Sequence, residues 1–231
     1  LPEETYESWK SGVCQLLKDD FIVESYPLAL LQNSEMNDAS YKEKYGIKTK
    51  LVKSYFSHYV DEWQDMVVAT RTMDEETMRR VWLWTWLTNK LEANGFTHLI
   101  SRYLEKHHDI QQQDFYEEML KTFLHDKDSV YYPHLQKWSQ YANNLEFQYF
   151  IGGFVYSEVL VDIGQHHRTK FFKEVYDIAN NLIGEFDPLL SQVLDLQEKI
   201  QRQPIYKVHE VTYDKNLYEY IQYDEPLVDE K

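Results

Sequence analysis

Most of the chain alternates apolar and polar positions with the period of amphipathic helices. Residues 5–18 place Tyr6, Trp9 and Val13 on one face, and Thr5 stands where an N-cap is expected. Thr72 or Asp74 precedes a Trp-rich helix predicted to end at 94–95. The same period predicts helices at 96–106, 113–124, 134–142, 145–164, 169–184 and 187–203, and a helical turn at 39–45 that ends at Gly46.

Other segments favour strands. Residues 21–23 form a short apolar run typical of a buried strand. Residues 47–56 alternate, and 66–72 are rich in β-formers, so we expect these two segments to pair. After Pro204, residues 205–212 alternate like a strand, and a turn is predicted at 214–216.

These patterns predict a mainly α protein with a helical, bundle-like body, a small α/β segment at the N-terminus and a short β or extended tail at the C-terminus. The predicted division is residues 1–56 for the α/β segment, 57–203 for the helical domain and 204–231 for a tail that returns to the body.

Charge and hydropathy narrow the functional classes. The 24 Lys and Arg against 39 Asp and Glu give a net charge of −15, which argues against binding to nucleic acid or to an anionic membrane surface. A hydrophobic fraction of 43% is too high for a disordered acidic chain. The best apolar run, 150–160, is shorter than the ~20 residues of a membrane span and contains Glu158. We expect a soluble protein.

Cys14 is the single cysteine. One thiol forms no internal disulfide and holds no iron–sulfur cluster, and it favours a reducing, cytoplasmic location. Cys14 lies beside the apolar stripe of the first helix with no basic neighbour to lower its pKa, so we interpret it as a buried structural thiol rather than a nucleophile.

Two further patterns leave alternatives open. Glu158, Asp162 and His166 recur every four residues, a spacing that puts metal-binding groups on one helix face, although a solvated helix edge is the favoured interpretation. In the Trp-rich helix, Trp82 and Trp86 share a face and favour core packing, whereas Trp84 points to a second layer or a partner.

Several segments read together resemble a known family. In chain order they are Leu1-Pro2-Glu3-Glu4-Thr5 before Tyr6-Glu7-Ser8-Trp9, then Tyr26-Pro27-Leu28, Leu31-Gln32-Asn33-Ser34-Glu35-Met36, Tyr41 to Ile47, and Met66 to Met73 with Glu76, Arg79 and Arg80. Their order over residues 1–90 resembles the late barrel and C-terminal region of cobalamin-binding-type radical SAM proteins. Beyond residue 90 the helical remainder is compatible with that region.

The chain also departs from the family. It lacks the Cys-x3-Cys-x2-Cys that holds the cluster and the Asp-x-His-x-x-Gly of a cobalamin domain, and Glu3 stands where the family usually has Gly. The resemblance therefore implies a C-terminal fragment without its radical chemistry. SAM, the iron–sulfur cluster and, as an open question, cobalamin belong to the intact parent and not to this chain. By the same resemblance, Glu4 is the position of this chain that we assign as a SAM-side residue of the turn.

The leading hypothesis is thus a non-catalytic C-terminal part of a radical SAM enzyme that shapes substrate access, with Arg71 and Trp82 on the substrate side. Their alternatives are a surface ion pair for Arg71 and core packing for Trp82. The expected partners are the upstream barrel and, in isolation, a second copy that buries residues 21–31. The rival hypotheses are an independent acidic helical interaction module and, more weakly, a metal-dependent hydrolase using Glu158, Asp162 and His166.

Overall fold

The protein is mainly α, as predicted, with one small antiparallel sheet near the N-terminus. The computed structural model describes residues 3–19, 21, 23, 27–53, 62–146, 154–200, 212–223 and 225–229. The helices within these residues are α1 Tyr6–Lys18, α2 Ala39–Tyr45, α3 Glu75–Ala93, α4 His98–His108, α5 Gln112–His125, α6 Tyr132–Asn144, α7 Phe154–Val161, α8 Arg168–Ile183, α9 Leu190–Ile200 and α10 Leu217–Gln222.

The sheet contains β1 (Ala29–Leu30), β2 (Lys48–Lys53) and β3 (Trp63–Ala69) in the order β1-β3-β2. Both neighbours of β3 are antiparallel to it, and the predicted pairing of 47–56 with 66–72 is confirmed. The predicted boundary after residue 56 falls between these two paired strands. Residues Met66–Ala69 of β3 are buried because both faces of the strand are covered: Met66 packs in the main hydrophobic core, and Val67 packs with Leu30 and Ile47 on the opposite face.

The strand predicted at 21–23 is wrong at the two residues that the structure describes. Phe21 and Val23 lie outside any strand, and Phe21 is 60% exposed. Strand β1 begins further along the chain, after Pro27 and Leu28. The carbonyl oxygen of Leu28 accepts a hydrogen bond from the Val67 amide at 2.8 Å, which fixes the register of β1 on β3.

Helix α3 runs through the middle of the fold. Every residue from Val81 to Glu92 is buried, because α1, α4, α5 and α6 all pack against this helix. Residues 81–87 are apolar except for Thr85, and the polar residues that follow, up to Glu92, are buried as well, which is the pattern of a central helix rather than of a surface helix. Trp84 is fully buried with its ring edge-on to Tyr116, and Trp86 is edge-on to Trp138.

Helices α4, α5, α8 and α9 complete the body, and the C-terminal segment returns to it. Helix α10 packs on α4, where the Lys106 ammonium donates to the carbonyl oxygen of Tyr220 at 2.6 Å. Lys215, just before α10, and Asp229, after it, form an isolated antiparallel bridge. A helix was not predicted in this tail, and the strand predicted at 205–212 lies outside the described residues except for residue 212.

The helix predicted at 145–164 has different limits. Leu145 ends α6 in a left-handed conformation with φ of 59°, so no helix begins there. At the other end, a π-helical turn at Asp162–His166 continues past Gly164. In the described residues no helix is long and apolar enough to cross a membrane.

Candidate functional site

Glu4 lies at the start of α1, in a small network of polar contacts. Thr5 caps the helix, with its hydroxyl oxygen accepting from the Ser8 amide at 3.1 Å, while the Ser8 hydroxyl oxygen accepts from the Thr5 amide at 2.9 Å. The Glu4 carboxylate accepts a hydrogen bond from the Ser8 hydroxyl. A carboxylate at this position is favoured by the positive end of the helix dipole, so the local sequence holds Glu4 in place.

The loop between β3 and α3 is tied to this helix start. The Thr72 hydroxyl donates to the Glu4 carbonyl oxygen at 2.5 Å. The loop is braced internally as well, because the Thr70 amide donates to the Met73 carbonyl oxygen at 2.7 Å. Met73 is buried and anchors the loop, whereas Arg71 and Thr72 are exposed.

Arg71 is held by the turn between α2 and β2. Its amide donates to the Tyr45 carbonyl oxygen at 2.8 Å, and its guanidinium donates to the Lys44 carbonyl oxygen. A cation at the C-terminal end of a helix is favoured by the helix dipole. Gly46, with φ of +62°, is required here, since a Cβ at this position would lie 3.1 Å from the Arg71 Cα and amide nitrogen.

Three loops that are far apart in sequence therefore meet at one surface, which we call the loop junction: residues 3–5, 44–46 and 70–73. It contains carboxylates from Glu3 and Glu4 and cations from Lys44 and Arg71. The pKa of Lys44 is raised, first by its hydrogen bond to Tyr45 and also by the charge of Glu3. This combination of carboxylates and cations suits binding of a charged group.

Trp82 does not lie at the loop junction. It is about two turns inside α3 and only 5% exposed, within the hydrophobic core. The nearby Trp9 indole donates to the Thr85 hydroxyl at 3.0 Å and connects α1 to the same part of α3. Any influence of Trp82 on a substrate would act through the packing of α3, and its substrate-side role stays a prediction.

The residues of the predicted metal face bind other partners. His134 Nε2 lies 2.8 Å from an oxygen of Asp162, and Lys137 Nζ lies 3.0 Å from an oxygen of Glu158. His166 is exposed. Within the part of the chain that the structure describes, no three His, Cys, Asp or Glu side chains are grouped as a metal ion requires.

A buried carboxylate that the sequence did not single out lies at the centre of a polar network. Glu92, 5% exposed, accepts hydrogen bonds from the hydroxyls of Tyr116 and Ser101, and its other oxygen lies 3.0 Å from His98 Nδ1. His98 Nε2 is 2.9 Å from the side-chain oxygen of Gln222 in α10. Burial alone lowers the pKa of His98, but the hydrogen bond and charge of Glu92 outweigh it, and the pKa is raised.

A second buried carboxylate, Asp187, connects α4 to the start of α9. It accepts from the Tyr103 hydroxyl at 2.6 Å and lies 2.8 Å from His108 Nε2, while its other oxygen accepts from the Leu189 amide at 2.8 Å. Burial raises the pKa of Asp187, but these hydrogen bonds bring it below the ordinary value. The sequence predicted a helix that begins at residue 187, whereas no sequence signal joined Asp187 to His108.

The networks around Glu92 and Asp187 are internal and satisfied, so they organise the body rather than offer a surface to a ligand. The loop junction is the candidate site, because it is exposed and brings Glu4 and Arg71 together. Compared with known proteins, the chain matches no protein-family model and no curated protein sequence.

Proposed function

We propose that this chain is the C-terminal, mainly helical part of a radical SAM enzyme, in which it shapes substrate access and carries out no radical chemistry itself. In the intact enzyme, SAM, the iron–sulfur cluster and any cobalamin are held by upstream residues. The loop junction is then the surface that faces the reaction centre.

One observation carries the proposal: three of the segments that bear the resemblance are neighbours in space. The turn at Glu4, the Tyr41 to Ile47 segment and the Met66 to Met73 segment meet at the loop junction through the hydrogen bonds of Thr72 and Arg71. This convergence supports the proposal because it places the candidate SAM-side and substrate-side residues at one surface.

A second observation concerns apolar exposure next to β1. Phe21 is 60% exposed, Leu28 44% and Leu31 68%, although all three belong to the segment that the resemblance assigns to the barrel. Apolar side chains at this exposure are favourable when another part of the protein covers them. The upstream barrel is the proposed cover, and in its absence two copies of the chain are expected to associate through the same residues.

In this assembly Arg71 is the proposed substrate-side residue. Its guanidinium is bound to a backbone carbonyl oxygen and leaves further N–H donors for a carboxylate or phosphate. Glu4 is the proposed SAM-side residue of the turn, fixed by Ser8 and connected to Arg71 through Thr72. Trp82 is proposed to set the position of α3 beneath them.

The proposal is tested first on the gene and then on its full product. We expect the reading frame to extend upstream through a Cys-x3-Cys-x2-Cys motif, and the full product to bind an iron–sulfur cluster and cleave SAM. A start codon immediately before Leu1, or a full product without a cluster, contradicts the proposal. The isolated chain is expected to bind neither SAM nor a cluster.

The role of Arg71 is tested in the full product by Arg71→Ala, with Lys173→Ala on the exposed face of α8 as the matched control. We expect Arg71→Ala to raise the KM for substrate about tenfold or more with little change in kcat, because it removes uniform binding. The control keeps both constants. An unchanged KM in Arg71→Ala contradicts the substrate-side role.

The expected self-association of the isolated chain is tested by light scattering at micromolar concentrations. Leu31→Glu combined with Phe21→Glu is expected to give a monomer, whereas Val161→Glu, which changes another exposed apolar side chain, leaves the assembly intact. A monomer at all concentrations in the unchanged chain contradicts this part of the proposal.

A further inference from the structure

One stretch of this acidic protein is strongly basic. Residues 42–53 contain five lysines and one glutamate, a net charge of +4, in a chain whose total is −15. The remaining residues therefore carry −19. The lysines at 48, 50 and 53 are exposed and lie along β2, so the positive charge is concentrated on this strand. Lys48 and Lys50 lie on one face, where the Lys50 ammonium also pairs with Glu75 at 2.6 Å, and Lys53 lies on the other face.

Strand β2 is an edge strand. The order β1-β3-β2 gives it one neighbour, β3, and no second strand among the described residues. All six of its residues pair with β3 in a continuous antiparallel register, with an irregularity only between Lys48 and Thr49. The outer side of such a strand presents backbone N–H and C=O groups in the spacing that another extended chain requires.

The same edge carries large apolar side chains. Leu51 is 63% exposed and Trp63, opposite Lys53 on β3, is 56% exposed. Since side chains two apart on a strand and directly opposite across strands share a face, Leu51 and Trp63 lie on one face of the sheet. Further along this face α2 covers the sheet, where Tyr41 and Tyr45 pack near Val67. The cover does not extend to Leu51 and Trp63.

We propose that β2 is a docking site for an extended acidic segment of a protein partner, which adds to the sheet as a fourth strand. Backbone hydrogen bonds to the outer side of β2 supply the pairing, and acidic side chains lie beside Lys48 and Lys50 on one face. The charge of Lys53 attracts the same acidic segment from the other face. Alternate apolar side chains of the partner cover Leu51 and Trp63. The charge of the site selects this occupant: a second copy of β2 would bring lysines against lysines, and like charges on adjacent strands are destabilising.

The probe is a capped synthetic peptide of about ten residues, roughly two mean strand lengths, in which glutamates alternate with valine and threonine. Fluorescence anisotropy on the isolated chain is expected to show saturable binding that weakens with salt. Lys48→Glu with Lys53→Glu is expected to weaken it by at least about tenfold. The control, Lys121→Glu with Lys173→Glu on α5 and α8, changes net charge equally and is expected to keep the affinity.

Three further measurements separate strand addition from other modes. The same peptide with alternate backbone nitrogens methylated keeps its charge but loses donors, and equal binding of that peptide overturns strand addition. Absence of binding, or an equal effect of the control pair, overturns the site. The chain is also tested against phosphatidylserine vesicles. If it binds them more tightly than the peptide, and Lys48→Glu with Lys53→Glu abolishes that binding, the surface is assigned to lipid and the proposal is overturned.

Discussion

Substitution of tyrosine by phenylalanine is expected to have opposite effects on stability at two fully buried positions. Tyr116 and Tyr131 are both 0% exposed. The Tyr116 hydroxyl donates to the buried Glu92 carboxylate and lies 3.0 Å from the Thr97 hydroxyl. The Tyr131 hydroxyl has no hydrogen-bond partner among the described residues. Tyrosine to phenylalanine removes one oxygen in each case, so the two variants differ in hydrogen bonding alone.

The expected loss follows from that difference. A hydrogen bond to a charged group contributes about 1.5–3 kcal/mol to stability. Removing the Tyr116 hydroxyl also leaves the buried Glu92 carboxylate with one hydrogen-bond donor fewer. Tyr116→Phe is therefore expected to lower the free energy of unfolding by about 2 kcal/mol, which is about 4–8 °C in Tm for a chain of this size. Tyr131→Phe removes an unsatisfied hydroxyl and is expected to leave stability unchanged or slightly raised.

The assay is urea unfolding followed by Trp fluorescence, with thermal unfolding by circular dichroism as a second measurement. Adding Glu92→Gln to Tyr116→Phe closes a double-mutant cycle, for which we expect a coupling energy of about 1–2 kcal/mol. The reasoning is refuted if Tyr131→Phe is as destabilising as Tyr116→Phe, or if the cycle gives no coupling. Either result would mean that the Glu92 network does not stabilise the core.

Three further predictions use other contacts. Gly46→Ala should lower the free energy of unfolding by about 1–2 kcal/mol, because Gly46 has a left-handed backbone and close neighbours. Gly12→Ala, in the exposed part of α1, should raise the free energy of unfolding by about 0.5–1 kcal/mol. Equal effects of the two substitutions would contradict this prediction. Burial, and then nearby carboxylates, raise the pKa of the Cys14 thiol to about 12. Cys14 should therefore react with a disulfide reagent at pH 8 only after unfolding, and fast reaction of the native chain would contradict this prediction. The stability difference between wild type and His98→Gln should be largest below the ordinary His98 pKa of 6.5 and should fade as pH rises through the raised pKa of His98. The pKa of His107 is lowered by burial and by its histidine neighbour, so a substitution of His107 should give the opposite trend with pH. The same trend in both variants would refute the assignment.

The parts of the fold that were predicted correctly are those fixed by local signals. Helix α1 begins after the Thr5 cap, α2 ends at Gly46, and α3 begins after Asp74, because each signal acts within a few residues. The pairing of β2 with β3 also followed from alternation in the sequence. The strand predicted at 21–23 was wrong because a short apolar run does not determine which segment pairs with the edge of β3. The segment at Leu28 pairs there instead, through a backbone hydrogen bond from the Val67 amide.

The candidate site was predictable in its residues but not in its arrangement. Glu4 and Arg71 were both selected from the sequence, yet their connection depends on Thr72 and on the close approach of Gly46 to the loop. Trp82 was selected from the Trp-rich helix as a second substrate-side residue, with core packing as its alternative. Its helical spacing with Trp86 favoured core packing, and Trp82 is buried, but which helices pack around α3 depends on long-range contacts that no local pattern contains.

The sequence by itself determined the helical class, the helix caps and the acidic charge, because propensity, capping and ionisation are properties of residues and their near neighbours. It also determined that residues 42–53 are basic. Only the tertiary structure decided that three of these lysines lie on a strand with one neighbouring strand among the described residues. It also decided that Glu92 meets Tyr116 and His98, and that three distant loops form one junction. These are long-range contacts, and they depend on which buried surfaces match in three dimensions rather than on the order of residues along the chain.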